Sequence, residues 1–201
     1  MALQFVILSY YCYLCRVNVV YDMDFNEVIR CRYSCKRFDP ERRLSREQLD
    51  AILEAGRLAP TAKNLQEHHV YVAESPEALR VIDAHSPCRY GAPTVLVVAY
   101  DKGNVYTYPT ARGAETDWRK SGVEDVAIVA THMMLAATNA GVDSCWVNCV
   151  HVDDLHRALS LPENMEIVML MDLGFAAEGV EPLPNHFARK PLEEMVSDLV
   201  V

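Results

Sequence analysis

The sequence predicts a mixed α/β fold in a single domain, and three observations carry that prediction. Beyond residue 23, helix-start signals alternate with short, β-branched apolar runs that are typical of buried strands. The 201 residues are enough to bury one sizeable core, and 51% of them are hydrophobic against 23% charged, as in an ordinary globular protein. No internal repeat, low-complexity segment or linker divides residues 23–201, so we expect one domain over that range.

Helix-capping residues mark three predicted helix starts. Asp24 with Glu27, and Ser45 with Gln48, have capping-box spacing, in which two side chains reciprocally satisfy free backbone N–H groups. Serine followed by proline at residues 75–76 begins the third helix. The first helix is predicted from Phe25 to about Arg32, and the second has its face at Leu49, Ile52, Leu53 and Gly56 and ends at Pro60.

Four short apolar stretches predict strands, and a short helix is predicted from about Asp153 to Leu159. The predicted strands are "HHVYVA" at 68–73, "APTVLVVAY" at 92–100, "DSCWVNCV" at 143–150 and "EIVMLMDLG" at 166–174. Residues 101–124 show no clear period, and a connection of that length is usually functional or mobile.

The strongest helical pattern is apolar nearly all round. The predicted helix "VEDVAIVATHMMLAATNAG" begins at Val123, its apolar part runs from Val126 to Ala140, and Gly141 follows as a natural C-cap. A helix with so little polar surface is buried either in the core or in a subunit interface.

Net charge and cysteine usage argue against several classes of function. The 28 acidic residues outnumber 19 Lys and Arg, and a net charge of −9 disfavours binding to nucleic acid or to anionic membranes. The seven cysteines are scattered and odd in number, so we interpret them as reduced thiols of a cytoplasmic protein. Cys12 and Cys15 have zinc-ligand spacing, but no second pair matches it, so no metal site is predicted.

Residues 1–22 form an N-terminal extension of uncertain status. The stretch is largely apolar, but it lacks the basic region and cleavage site of a signal peptide. Its longest uncharged run, from Met1 to Cys15, is short for a membrane span, so no membrane association is predicted. Met23 is a candidate natural start, and finding Met1 or Ala2 at the native N-terminus by mass spectrometry would refute that interpretation.

A dense cationic stretch, "RCRYSCKRF" at residues 30–38, stands out in this acidic chain. It gathers Arg30, Arg32, Lys36 and Arg37 around Ser34. Charge runs usually form solvated surfaces, but guanidinium and ammonium groups also bind phosphate. The stretch alone leaves open whether it is a solvated helix end or an anion site.

Four separated segments together resemble the nitroreductase family of flavin enzymes. "RYSCKRF" resembles the opening Arg-x-Ser-x-Arg motif, and "APTAKNLQ" resembles the Ala-Pro-Ser-x-x-Asn-x-Gln motif. "EDVAIVATHMMLAATNAGVDSCWV" is similar to the long central helix with its following strand, and "MDLGFAAEGVEPLPNHFARKPLEEMV" to the closing segment. The resemblance covers nearly everything from Met23 onward. It implies an α+β fold with a central, mostly antiparallel sheet flanked by helices, in an intertwined homodimer.

The resemblance also implies an FMN site that draws on all four segments. The FMN-binding positions are Arg32, Tyr33, Ser34, Lys36, Pro60, Thr61, Asn64, Gln66, Cys145, Trp146, Val147, Gly174, Arg189 and Lys190. By resemblance, the cations of the first and last motifs bind the phosphate. The resemblance also implies that Asn64 contacts the flavin ring and that backbone amides at 145–147 lie opposite the ring. No catalytic side chain is assigned, because the chemistry takes place at flavin N5. Arg30 and Arg37 are interpreted as solvated.

Several of these positions have an equally ordinary structural interpretation. Trp146 is interpreted first as a core aromatic, and Cys145 and Cys149 as packing residues without an activating partner. Substrate-side candidates are Tyr106, Tyr108, Trp118 and His68, with loop anchoring or a strand start as the alternatives.

The sequence departs from the family pattern at three places. Lys36 replaces the usual arginine, which keeps the charge but loses bidentate geometry. Thr61 replaces serine, and Glu67 with His68 replaces the usual Pro-Trp. The last change bears on substrate preference more than on flavin binding.

The resemblance implies an oxidoreductase that takes hydride from NADH or NADPH onto FMN and passes it to a small acceptor of the nitroaromatic or quinone type. The alternatives are a specialised flavin enzyme (a dehalogenase, ene-reductase or flavin-fragmenting enzyme) and a non-catalytic flavin store or sensor. The implied partners are a second copy of the chain and a small-molecule electron acceptor.

Overall fold

The computed structural model describes residues 23–107 and 118–199, which form a four-stranded antiparallel sheet with five α-helices. The helices are α1 Phe25–Cys31, α2 Arg46–Arg57, α3 Pro76–His85, α4 Trp118–Asn139 and α5 Val152–Ala158. The strands are β1 His68–Ala73, β2 Thr94–Asp101, β3 Asp143–Val147 and β4 Met165–Gly174, in the order β1-β2-β4-β3. This arrangement confirms the predicted mixed α/β class and the antiparallel sheet. The interpretation of residues 1–22 lies outside the described residues.

The predicted helix starts are confirmed in atomic detail. The Asp24 carboxylate accepts the Glu27 N–H at 3.0 Å, and the Glu27 carboxylate accepts the Asp24 N–H at 3.2 Å. Ser45 and Gln48 form the same reciprocal pair, at 3.2 and 3.0 Å. The Ser75 hydroxyl caps α3. These ends are fixed by residues within one turn of each other, so local sequence is sufficient to predict them.

The sheet separates two apolar layers, because alternate residues of β2 point to opposite faces. On one face, Val95 and Val97 pack in a cluster that includes residues of α3 and α5. On the other, Leu96 and Val98 pack in a cluster that includes residues of α2 and α4. Both faces of β2 are covered, which explains why its sequence is an unbroken apolar run.

Two predicted boundaries were wrong. Helix α4 begins at Trp118, five residues before the predicted Val123, because its first turns are polar and contain Gly122. A Cβ at Gly122 would lie 2.4 Å from the Tyr100 ring, so the glycine permits a close crossing that a helical apolar pattern does not show. Strand β3 ends at Val147, so Cys149 lies in the following loop and not on the strand.

A buried acid lies in the middle of the sheet. Asp172 of β4 is 0% exposed, and neither of its carboxylate oxygens has a hydrogen-bond partner within the described ranges. Burial raises its pKa to about 8, against an opposing effect of Arg89 and Lys36. The strand pattern predicted the strand but not the electrostatic cost of this residue.

No helix within the two described ranges is long and apolar enough to cross a membrane.

Candidate active site

The cationic segment is fixed against β3 by backbone contacts. Ser34 bridges Ser144, and the Cys35 N–H donates to the Ser144 carbonyl at 2.9 Å. The Phe38 N–H donates to the Tyr90 carbonyl at 2.9 Å, and the Phe38 side chain is buried. Residues between these anchors therefore have defined positions beside the sheet edge.

An open cleft of about 270 Å³ lies where this segment meets the closing segment of the chain. It is lined by Arg32, Tyr33, Ser34, Lys36, Leu183, Asn185, His186 and Arg189. The structure thus brings together the predicted residues of the first motif and Arg189 of the last. Sequence reasoning missed Asn185 and His186, which follow Pro184 in a single 3₁₀ turn. Their position inside the closing motif was the available signal.

Like charges face one another in this cleft. Burial lowers the pKa of Arg32, and the neighbouring Arg189 lowers it further. The pKa of His186 is also lowered, first by burial and then by Arg32, which favours its neutral form. No carboxylate in the described part of the chain forms an ion pair with Arg32, Lys36 or Arg189. The cleft therefore carries positive charge that no acid of residues 23–107 or 118–199 neutralises through an ion pair.

Lys36 is held at the cleft by Tyr90. Its Nζ donates to the Tyr90 hydroxyl at 3.2 Å and lies 4.8 Å from the centre of the Tyr90 ring. That hydrogen bond is the main cause of a raised Lys36 pKa, so the ammonium group stays charged at neutral pH. Lys36 thus presents a persistent point charge where the family pattern has arginine.

The second motif forms a tight loop between α2 and β1. Three non-glycine residues there have left-handed backbone: Lys63, Asn64 and Gln66, with φ of 54°, 56° and 53°. The Thr61 hydroxyl accepts the Gln66 N–H at 3.0 Å, and the Asp125 carboxylate accepts the Ala62 N–H at 3.0 and 3.1 Å. Left-handed residues are costly outside glycine and concentrate at functional sites, so this loop is a candidate ligand-contacting element.

Two residues that depart from the family pattern directly follow this loop. Glu67 is 3% exposed, and burial together with the adjacent Asp125 raises its pKa to about 7. His68 is half-buried, with a pKa lowered mainly by burial. Sequence reasoning missed Asp125, which lies on α4, because it occupies one of the few polar positions of an apolar helix. It anchors the loop from a distant part of the chain.

The predicted residues at the end of the sheet have packing roles. Cys145 and Val147 are buried, and burial raises the Cys145 pKa to about 11. Trp146 is half-buried, and its Nε1–H donates to Asn148 at 2.7 Å. A Cβ at Gly174 would lie 2.9 Å from side-chain atoms of both Phe38 and Pro93, which accounts for glycine there. Cys149 is exposed, so its interpretation as a packing residue was wrong.

Not all the predicted site residues meet within one chain. The cleft lining includes no residue of the loop from Pro60 to Gln66, and Lys190 is exposed beside the cleft. Tyr106 lies near that loop, with the Lys63 Nζ 5.5 Å from its ring centre. Tyr108 and the Trp118 side chain lie outside the described residues.

A family model and a solved structure are both similar to this chain over most of its length. The family model described as "Nitroreductase family" matches residues 29–87 and 83–175. A nitroreductase family protein from Clostridium difficile 630, known from its crystal structure, is 31% identical, with a TM-score of 0.78 over 89% of this chain and 100% of that chain.

Two further relatives extend this relationship. A Methanothermobacter thermautotrophicus protein, provisionally named NADH dehydrogenase/NAD(P)H nitroreductase, is 27% identical over 165 residues, covering 78% of this chain and 79% of that protein. A nitroreductase structure from Exiguobacterium sibiricum 255-15, solved in complex with FMN, has a TM-score of 0.73 at 20% identity over 88% and 98% of the two chains and shows the shared fold.

The motifs, the antiparallel sheet and the family match lead to one assignment: the chain belongs to the nitroreductase family.

Proposed function

We propose that this chain is an FMN-dependent NAD(P)H oxidoreductase and that its basic cleft binds the phosphate of FMN. The observation that carries this proposal is the uncompensated positive charge of Arg32, Lys36 and Arg189. Membership of the nitroreductase family supports it, as do the names of the relatives that refer to NAD(P)H and to FMN.

The residues of the cleft fit an FMN phosphate chemically. A phosphate monoester carries roughly two negative charges near neutral pH and offers strong acceptor oxygens. Arg32 and Arg189 supply forked N–H donors, Lys36 supplies a point charge, and the Ser34 hydroxyl adds a neutral donor. A dianion here also removes the repulsion between the two guanidinium groups.

The remaining site residues are assigned to the flavin ring and its surroundings. Asn64 and Gln66 present polar groups on a strained loop that the Thr61 hydroxyl holds in shape. Because this loop does not line the cleft of its own chain, we assign it to the site completed by a partner subunit. The backbone at residues 145–147 and the flanking Gly174 support the ring side of the site.

The apolar surface that one chain leaves exposed supports the proposal of a homodimer. The closing segment carries large apolar side chains with little cover, including Leu192 at 72%, Met195 at 68% and Leu199 at 91% exposed. Large apolar side chains that are exposed in one chain favour an interface, which a second copy of the chain would cover. We expect native mass spectrometry to give twice the chain mass of 22.7 kDa. A species of single-chain mass at micromolar concentration contradicts the dimer.

The chemistry needs no protein nucleophile. When bound, FMN supplies a ring that accepts hydride from a nicotinamide and returns electrons to a small acceptor. Arg32, Lys36 and Arg189 would neutralise its phosphate, and the loop that carries Asn64 and Gln66 would hold its ring together with the backbone at residues 145–147. We propose nitroaromatic or quinone-type molecules as acceptors.

The visible spectrum of the purified protein tests this function. We expect a yellow protein, or a colourless one that becomes yellow on loading with FMN, and anaerobic NADH or NADPH should bleach it. A yellow protein that neither nucleotide reduces indicates a flavin store, a sensor or a specialised flavin enzyme with another reductant. A chain that cannot be loaded with FMN contradicts the proposed function.

A further inference from the structure

Two cysteines lie in loops that a serine hydroxyl joins, and one of these loops contacts Lys36 of the basic cleft through Tyr90. Cys88 follows α3 and is half-buried, whereas Cys149 follows β3 and is exposed. Both are free thiols, and Cys88 is the main cause of a raised Cys149 pKa, so the two side chains interact. The function proposed above uses neither of them.

A serine between the two loops holds the cysteine backbones together. The Ser86 hydroxyl donates to the Cys149 carbonyl at 2.8 Å and accepts the Cys88 N–H at 3.3 Å. The N–H of His151 also donates to the His85 carbonyl at 3.0 Å, so the loops are joined at a second point. Ser86 itself is only 2% exposed. Hydrogen bonds to a buried serine therefore hold the backbones of the two cysteines near each other.

The thiol pair is connected to the cleft through Tyr90. The Cys88 thiol is the main cause of a raised Tyr90 pKa, and the Tyr90 hydroxyl accepts a hydrogen bond from Lys36 Nζ at 3.2 Å. A change at the Cys88 sulfur therefore reaches, through one side chain, a cation of the cleft.

We propose that Cys88 and Cys149 form a reversible disulfide, and that its formation changes the hydrogen bond between Lys36 of the basic cleft and Tyr90. A small-molecule disulfide, such as oxidised glutathione, serves as the oxidant. The exposed Cys149 thiolate attacks one sulfur of that molecule and releases one thiol, which leaves a mixed disulfide. The Cys88 thiolate then attacks the Cys149 sulfur and releases the second thiol. Overall, two protein thiols lose two electrons and two protons, and the small disulfide is reduced to two thiols.

Peptide mapping tests the disulfide directly. The full-length chain is incubated with oxidised glutathione, remaining thiols are alkylated, and the unreduced digest is analysed by mass spectrometry. We expect a peptide pair joined through Cys88 and Cys149 that dithiothreitol separates. Because Cys12 and Cys15 also have spacing suited to a disulfide, the same mapping is repeated with both replaced by serine.

Single substitutions separate the two steps. In Cys88→Ser we expect a stable glutathione adduct at Cys149, because the resolving thiol is missing, and in Cys149→Ser we expect no cross-link. Cys31→Ser is the matched control and should cross-link like the wild type. No cross-link in the wild type, a link from Cys88 to another cysteine, or a glutathione adduct at Cys149 that Cys88 never resolves each overturns the assignment.

The connection to the cleft is measured through FMN affinity, and this part rests on the proposed function. We expect the oxidised chain to bind FMN about 2- to 10-fold more weakly than the reduced chain, the effect of one hydrogen bond lost. Tyr90→Phe should bring the reduced chain close to the oxidised one. Equal affinity in both redox states overturns the connection to Lys36. If FMN binds in neither state, the proposed function fails, and the peptide map still decides whether the disulfide forms.

Discussion

Replacing Asp172 by asparagine is expected to remove most of the dependence of the free energy of unfolding on pH. Burial raises the native pKa of this carboxyl from 3.8 to about 8, so the native state holds a proton that the unfolded chain releases. Protonation of Asp172 therefore contributes fully to the free energy of unfolding below pH 3.8, and this contribution is lost as the pH rises towards about 8. Each pKa unit corresponds to about 1.4 kcal/mol, so the loss is on the order of several kcal/mol.

Urea unfolding of the apoprotein at a series of pH values measures this effect. Wild-type stability should fall steadily over the range, with a smaller parallel contribution from Glu67, whose pKa is about 7. The Asp172→Asn variant should be close to the wild type in acid, because the protonated carboxyl and the amide are both neutral and both buried without hydrogen-bond partners within the described residues. It should be more stable above the native pKa. Asp153→Asn, at an exposed position on α5, is the control. Parallel profiles for wild type and Asp172→Asn contradict the assignment.

Replacing Arg189 or Arg32 by alanine is expected to weaken FMN binding roughly 10- to 100-fold, since each substitution removes a charge-assisted hydrogen bond worth about 1.5–3 kcal/mol. The two substitutions should not add fully. Removing one guanidinium relieves the repulsion that the other experiences, as the lowered pKa of Arg32 indicates. Quenching of flavin fluorescence gives both dissociation constants.

The control for this pair is Arg30→Ala, which makes the same change in net charge one turn away. Arg30 is exposed and does not line the cleft, so its loss should change FMN affinity less than about threefold through long-range electrostatics alone. Equal losses in Arg30→Ala and Arg189→Ala mean that overall charge, and not the cleft, sets the affinity. Unchanged occupancy in Arg189→Ala removes that residue from the phosphate site.

The parts of the fold that local sequence determines were predictable. The Asp24–Glu27 and Ser45–Gln48 pairs act within one helical turn, and each appears in the structure as expected. The start of α4 was not predictable in the same way. Gly122 weakens a helical pattern locally, and its reason for being there is the Tyr100 ring on a strand that precedes it in the chain.

The site shows the same division. The cations of the first motif can be predicted from the sequence. That they line one cleft with Arg189 cannot, because it depends on the path of the closing segment. Asp125 supports the loop through backbone hydrogen bonds from a helix that sequence reasoning treated as apolar. Cys149 was predicted to lie on a strand because the apolar residues of "DSCWVNCV" continue to Val150, although pairing with β4 ends at Val147. Contacts between distant segments decide each of these cases.

The most direct measurement of the central claim is a side-by-side titration of the apoprotein with FMN and with riboflavin, which differ only in the phosphate. Because three cations and the Ser34 hydroxyl are assigned to that phosphate, FMN should bind at least about 100-fold more tightly, and added salt should reduce the difference. Equal affinity for the two flavins, or binding of neither, contradicts the assignment of the basic cleft to FMN.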